Sequence, residues 1–144
     1  MNAMERSLAR VEIRDTIERY FSAIDRADKA RLAGCFTADA RYESAGGTLD
    51  LTGAQAIAAR LASGRFAHAT HLRGNTAIDF TEQGAIADTS AVAILVRGPG
   101  EMAMMRGLRY LDTLLETGER WLIDHRRHIT LWQSDLPSVP PFVP

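Results

Sequence analysis

The stretch Arg14-Asp15-Thr16-Ile17-Glu18-Arg19-Tyr20-Phe21-Ser22-Ala23-Ile24-Asp25 decides how this chain is read. With Ile13 ahead of it, apolar residues recur at Ile13, Ile17, Tyr20, Phe21 and Ile24. That spacing makes one face of an α-helix. At about 100° per residue, Asp25 falls one turn beyond Phe21, on the shoulder of the apolar face. A carboxylate aimed toward a core is either paired or chemically active. The expected partner is His71, an isolated polar group near the start of the strand-rich half.

Working outward, the first helix runs from about residue 5 to 26, and Asp28 caps a short second helix over 29–36. Thr37-Ala38-Asp39 reads as a turn, and Ala40-Arg41-Tyr42-Glu43-Ser44 alternates as a strand. Ala45-Gly46-Gly47-Thr48 is a hairpin turn that returns through Leu49-Asp50-Leu51. Thr52-Gly53-Ala54-Gln55 has capping-box spacing and opens a third helix, which stops at Ser63-Gly64. The texture then changes to four long strands, over 69–80, 85–96, 101–116 and 120–132, with turns at Glu82-Gln83-Gly84, Arg97-Gly98-Pro99-Gly100 and Thr117-Gly118-Glu119. Three helices followed by a strand meander is an α+β plan. A strongly curved, mostly antiparallel sheet wrapped against the helices makes a cone with a pocket inside. One domain is expected over 1–135. The proline-rich 136–144 reads as an extended tail, because its prolines exclude helix and central strand.

At 144 residues with 46% apolar and 24% charged side chains, the chain is large enough for one real core and ordinary for a globular protein. Its formal net charge of −1 argues against a nucleic-acid binder. A single cysteine, Cys35, rules out an internal disulfide and fits a reducing compartment. Residues 1–6 have no apolar core of the signal-peptide kind, and no run reaches the roughly 20 apolar residues of a membrane span. The chain reads as cytoplasmic, with no membrane contact. No metal is expected: in an extended segment His68 and His71 point to opposite faces with no third ligand, and His125 and His128 are likewise split. There is no glycine-rich phosphate loop, so the reading is cofactor-free.

Three stretches carry a resemblance to a known family. They are Ile24 to Phe36 with Asp39-Ala40; Ala69-Thr70-His71-Leu72-Arg73-Gly74-Asn75; and Gly107-Leu108-Arg109-Tyr110-Leu111-Asp112 with Gly118 to Ile123 and Arg126. Together, over about residues 8–133, they resemble the SnoaL-like branch of the nuclear transport factor 2-like superfamily. In its lyases, such as scytalone dehydratase, bile-acid 7α-dehydratase and hexachlorocyclohexane dehydrochlorinase, an aspartate and a histidine recur at the places of Asp25 and His71. There they form a catalytic dyad with histidine as base. Arg126 matches an arginine that the dehydrochlorinase uses. The chain departs from the dehydratases at Ile24, where they carry tyrosine, and from the dehydrochlorinase at Tyr20, where it carries lysine.

A histidine beside a buried carboxylate is a base held in one tautomer. It suits removal of a proton from carbon next to an electron-withdrawing group, followed by loss of water or halide, and equally suits an isomerase. The resemblance therefore implies a cofactor-free lyase, or an isomerase, acting on a small apolar cyclic compound. Asp25 and His71 are the catalytic pair; Arg126, Tyr42, Tyr20 and Tyr110 bind substrate or steady developing charge. Alternation places Arg126 and Arg127 on opposite faces, with Arg126 taken as the inward one. Against this stands a binding or assembly module in which Asp25 merely ends a helix and His71 is structural. The near-neutral charge, the apolar last strand and the tail suggest self-association as a dimer or trimer.

Overall fold

The computed structural model describes residues 1–98, 100–118 and 120–137. Helices α1 (Ala3–Asp25), α2 (Lys29–Ala33) and α3 (Ala54–Leu61) accompany strands β1 (Phe36–Ser44), β2 (Asp50–Thr52), β3 (His68–Phe80), β4 (Ala85–Val96), β5 (Ala103–Thr117) and β6 (Arg120–Leu136). The six strands form one sheet in the order β2-β1-β6-β5-β4-β3, not closed into a barrel. All neighbours are antiparallel except β1 and β6, which run parallel. With the helices packed on this mixed sheet, the architecture is the expected α+β cone.

Helix α1 starts earlier than its apolar periodicity suggests because of a capping box. Asn2 Oδ1 accepts from the Glu5 N–H at 3.0 Å, and Glu5 Oε2 accepts from the Asn2 N–H at 2.7 Å. Its inner face buries Ile13, Ile17 and Tyr20 completely. Each of the two isoleucines contributes about 1.5–3 kcal/mol. The face packs on β3 and β6. Thr16 fixes the crossing by donating its hydroxyl to the Trp121 carbonyl at 2.7 Å.

Four sequence expectations are corrected. Thr37-Ala38-Asp39 is not a turn but part of β1. The Ile123 N–H bonds the Cys35 carbonyl and the Thr37 hydroxyl bonds Asp124, so the parallel partner draws these residues into the sheet, with a register shift between Phe36 and Arg41. No capping box opens α3: Gly53 is the cap residue, at φ 93°, with no side-chain cap bond. Met102 precedes β5 rather than lying on it. Finally, β6 runs on through Leu136, which pairs with Ala103, so the strand takes in the first residue assigned to the tail. The rest of that tail, 138–144, lies outside the described residues. The hairpin turn holds as read, with Gly46 and Gly47 at φ 92° and 71°, a conformation that glycine adopts without strain.

The face of β4 that carries Ala87, Thr89, Ala91, Ala93 and Leu95 points inward. Leu72, Ile86, Leu131 and Trp132 are exposed. No helix among the described residues is long and apolar enough to cross a membrane.

Candidate active site

Helix α1 and strand β3 meet at the pair singled out by the sequence. Phe21 stacks on the His71 imidazole, ring centroids 5.6 Å apart and planes 29° apart. One turn later, Asp25 grips the same residue twice. Its Oδ1 lies 2.6 Å from His71 Nδ1, and its Oδ2 accepts from the His71 main-chain N–H at 2.9 Å. An ionised carboxylate can only accept, so in the neutral imidazole this contact puts the proton on Nδ1 and leaves the Nε2 lone pair free. The His71 side chain is 6% exposed and that of Asp25 23%. A carboxylate at a helix C-terminus opposes the helix dipole, and no basic residue stands in the last turn of α1 to offset it. The two bonds to His71 hold Asp25 where local helix preference does not.

The pair opens into a cavity of about 700 Å³. Its walls include Ile24, Ala93, Leu95 and Leu108; Tyr20, Tyr42, Tyr110 and His128 stand with the dyad at its buried end. The rings pack edge to face: Phe21 with Tyr110 at 5.3 Å, Tyr20 with Tyr110 at 6.1 Å, and Tyr110 with His128 at 5.2 Å. Burial pushes the phenols of Tyr42 and Tyr110 well above the ordinary tyrosine range and raises that of Tyr20. All three therefore stay protonated at neutral pH and can donate hydrogen bonds.

Arg126 lies beneath this floor and does not line the cavity. Its Nε and Nη2 clasp Asp112 at 2.7 and 2.6 Å, with both side chains fully buried. Its guanidinium sits 3.9 Å from the Tyr20 ring centroid and 4.7 Å from that of Tyr110. Burial alone would lower its pKa, but Asp112 outweighs that and holds it charged. Among the described residues, neither Arg126 Nη1 nor the Tyr20 hydroxyl completes a well-shaped hydrogen bond, although the phenol lies beside Arg126 and Tyr42.

The structure thus brings Asp25 and His71 into contact and gathers Tyr20, Tyr42 and Tyr110 beside them. Arg126 is inward and Arg127 exposed, as alternation implies, but Arg126 reaches the cavity through the tyrosines. The sequence reading missed His128, which stacks on Tyr42 at 6.3 Å. Burial, with Arg126, Arg106 and His71 nearby, lowers its pKa to about 4. The signal was available: with Arg126 inward on β6, alternation puts His128 on the same face. Cys35 is a free, buried cysteine, and burial raises its thiol pKa. No cluster of potential metal ligands occurs among the described residues.

Comparison with solved structures gives matches along nearly the whole chain. A hexachlorocyclohexane dehydrochlorinase, LinA-type3 from Novosphingobium barchaimii, is 17% identical with a TM-score of 0.85, over 97% of this chain and 100% of that one. A scytalone dehydratase-like protein from Novosphingobium aromaticivorans is 21% identical with a TM-score of 0.82, over 94% of each chain. A protein of unknown function from Mycobacterium tuberculosis is 24% identical with a TM-score of 0.77, over 90% of this chain and 78% of its own. At these identities the likeness establishes the shared fold alone. Comparison with curated protein sequences gives no match. The SnoaL-like domain profile, however, matches residues 5–127. By that match, which spans most of its length, the chain belongs to the SnoaL-like domain family.

Proposed function

We propose that this protein is a lyase of the dehydratase or dehydrohalogenase type that works by acid–base chemistry on a small, largely apolar cyclic compound. The observation that carries the reading is the 2.6 Å contact of Asp25 with His71 Nδ1, both of which line the cavity. His71 Nε2 takes a proton from carbon beside an electron-withdrawing group. The C–H electron pair becomes the new double bond, and the leaving group departs with its own pair. Asp25 holds the ring in the reactive tautomer and favours the imidazolium. Protonated phenols of Tyr20 and Tyr42 face the developing negative charge, with the Arg126 cation behind Tyr20. When the leaving group is hydroxide, the imidazolium or a phenol returns a proton and water departs. Dehydratase and dehydrochlorinase relatives on the same fold support the reaction class.

The test is a screen of cyclic alcohols, ketones and halides for elimination, followed by His71→Ala on whatever is turned over. Loss of a positioned base costs about 10²–10⁴ in rate. Turnover that survives His71→Ala within a factor of a few refutes the assignment.

A further inference from the structure

The charge of the cavity differs from that of the chain. Acidic and basic side chains nearly balance overall, 18 against 17. Around the cavity stand Arg26, Arg60, Arg65, Arg97 and Arg106, and the one carboxylate among the described lining residues is Asp25, which is committed to His71. Elsewhere Arg41, Arg73, Arg109, Arg126 and Arg127 each meet a carboxylate. Arg6, Arg10, Arg14, Arg19, Arg31 and Arg120 stand apart from the cavity without one among the described residues, so what sets the cavity arginines apart is their shared place around one concave wall. Among the described residues, none of the five cavity arginines has such a partner. Arg26 bonds only the Ser22 hydroxyl, and Arg106 the Gln133 amide oxygen with a long contact to the Met104 sulfur.

These arginines stand on the faces that form the cavity. Met104, Arg106, Leu108 and Tyr110 alternate inward along β5, ending at the buried floor. Arg97 continues the inward alternation of Ala93 and Leu95 one step past the end of β4. Register places His71 opposite Ala93 and Ala93 opposite Arg106. Arg106 is therefore level with the base, two strand spacings or about 10 Å across the sheet. Arg97 lies four residues further up from Ala93, about 13 Å along the strand. Like charges around one cavity repel each other, and a concave low-dielectric wall strengthens their field. An anion cancels that repulsion and fits the planar guanidinium fork.

We propose that the cavity takes an organic anion: an apolar ring held against His71, and a carboxylate or phosphate group bound by Arg106, across the sheet from the base, and Arg97, further up, with the other arginines that line the cavity. The inference refines the substrate class of the proposed lyase and rests on that reading only for which end of the ligand reacts.

The experiment compares matched probes on the whole chain by titration calorimetry at low salt. One pair is 4-cyclohexylbutanoate and its primary amide; the other is 4-cyclohexylbutyl phosphate and the parent alcohol. At least one anion binds about tenfold or more tighter than its neutral partner, and the gap narrows as salt is added. Whichever pair shows the gap tells carboxylate from phosphate. Arg106→Gln removes most of the preference and leaves the neutral partner's affinity unchanged, which also reports an intact cavity. Arg97→Gln, at an exposed position past the strand end, reduces it without touching the sheet. His71→Ala keeps the preference whether or not it abolishes turnover, so the two readings fail separately. Equal affinity within both pairs, weak binding of all four probes included, overturns the proposal.

Discussion

Replacing Asp25 by Asn tests the heart of the site with one changed atom. In the native pair, Oδ2 takes the His71 main-chain N–H and Oδ1 takes Nδ1. Asparagine keeps one oxygen, and the main-chain N–H claims it because that donor has no alternative state. The new amide group then faces Nδ1, where two donors cannot share one contact. Keeping the proton on Nδ1 leaves a donor unmade, at about 1–3 kcal/mol. That favours moving the proton to Nε2 by about 5- to 150-fold. The ring then has no lone pair toward the cavity, so on the proposed mechanism it cannot take a proton from substrate. Stability changes little. A charge-assisted bond becomes a neutral one, a loss of about 1 kcal/mol, while removal of a carboxylate from a helix C-terminus returns about 0.3–1 kcal/mol. Long-range ¹H–¹⁵N correlation of the imidazoles, with His71→Ala for assignment, reads the tautomer directly, and a melting curve checks the fold. The same tautomer in both proteins, or a native ring carrying its proton on Nε2, refutes the reasoning.

Two further outcomes follow from the floor of the cavity. Arg126→Gln strands the buried Asp112 carboxylate and costs about 3–5 kcal/mol in urea unfolding, whereas adding Asp112→Asn to it costs less than the sum of the two singles; a loss below about 1 kcal/mol would show the pair to be dispensable. His128, with its pKa lowered to about 4, stays neutral in an imidazole NMR titration until near that pH. Because the unfolded chain binds this proton first, near pH 6.5, the His128 contribution is complete above 6.5 and is lost as pH falls from 6.5 to about 4, by roughly 3 kcal/mol. His128→Gln flattens that part of the acid limb of the stability curve, and an unchanged limb would contradict the assignment.

How far the sequence reaches is visible in particular residues. Asp25 was legible because it breaks a local rule: a carboxylate on the apolar shoulder at the end of a helix needs a reason outside the helix. The inward faces of β4 and β5 follow from alternation alone. The parallel pairing of β1 with β6 was not legible, because it depends on register between distant segments, and its absence turned Thr37-Ala38-Asp39 into a turn. Gly53 was hidden by Thr52, whose side chain suggested a cap that the backbone at φ 93° does not use. Arg126 was correctly turned inward, but only the packing of Tyr20 and Tyr110 over its guanidinium puts it under the floor. The arginines of the cavity were readable one by one as solvated charges. Their convergence is a property of the fold: the sheet brings Arg97 and Arg106, and the ends of α1 and α3, with the residues just after them, bring Arg26, Arg60 and Arg65.

The parallel pairing also governs when the site comes into being. Tyr42 belongs to β1 and is in register with Arg126 of β6, so two pieces of one floor come from distant parts of the chain. Contacts of such long sequence separation pay loop-closure entropy before they return any stability. On a ribosome, the dyad of Asp25 and His71 can be brought together well before β6 emerges, but the tyrosine floor with its cation cannot. A chain stopped short of β6 would carry the Asp25–His71 pair with no Arg126 under the tyrosines and a bare edge on β1. The floor is therefore complete only once β6, which follows the other described strands in sequence, has been added to the sheet.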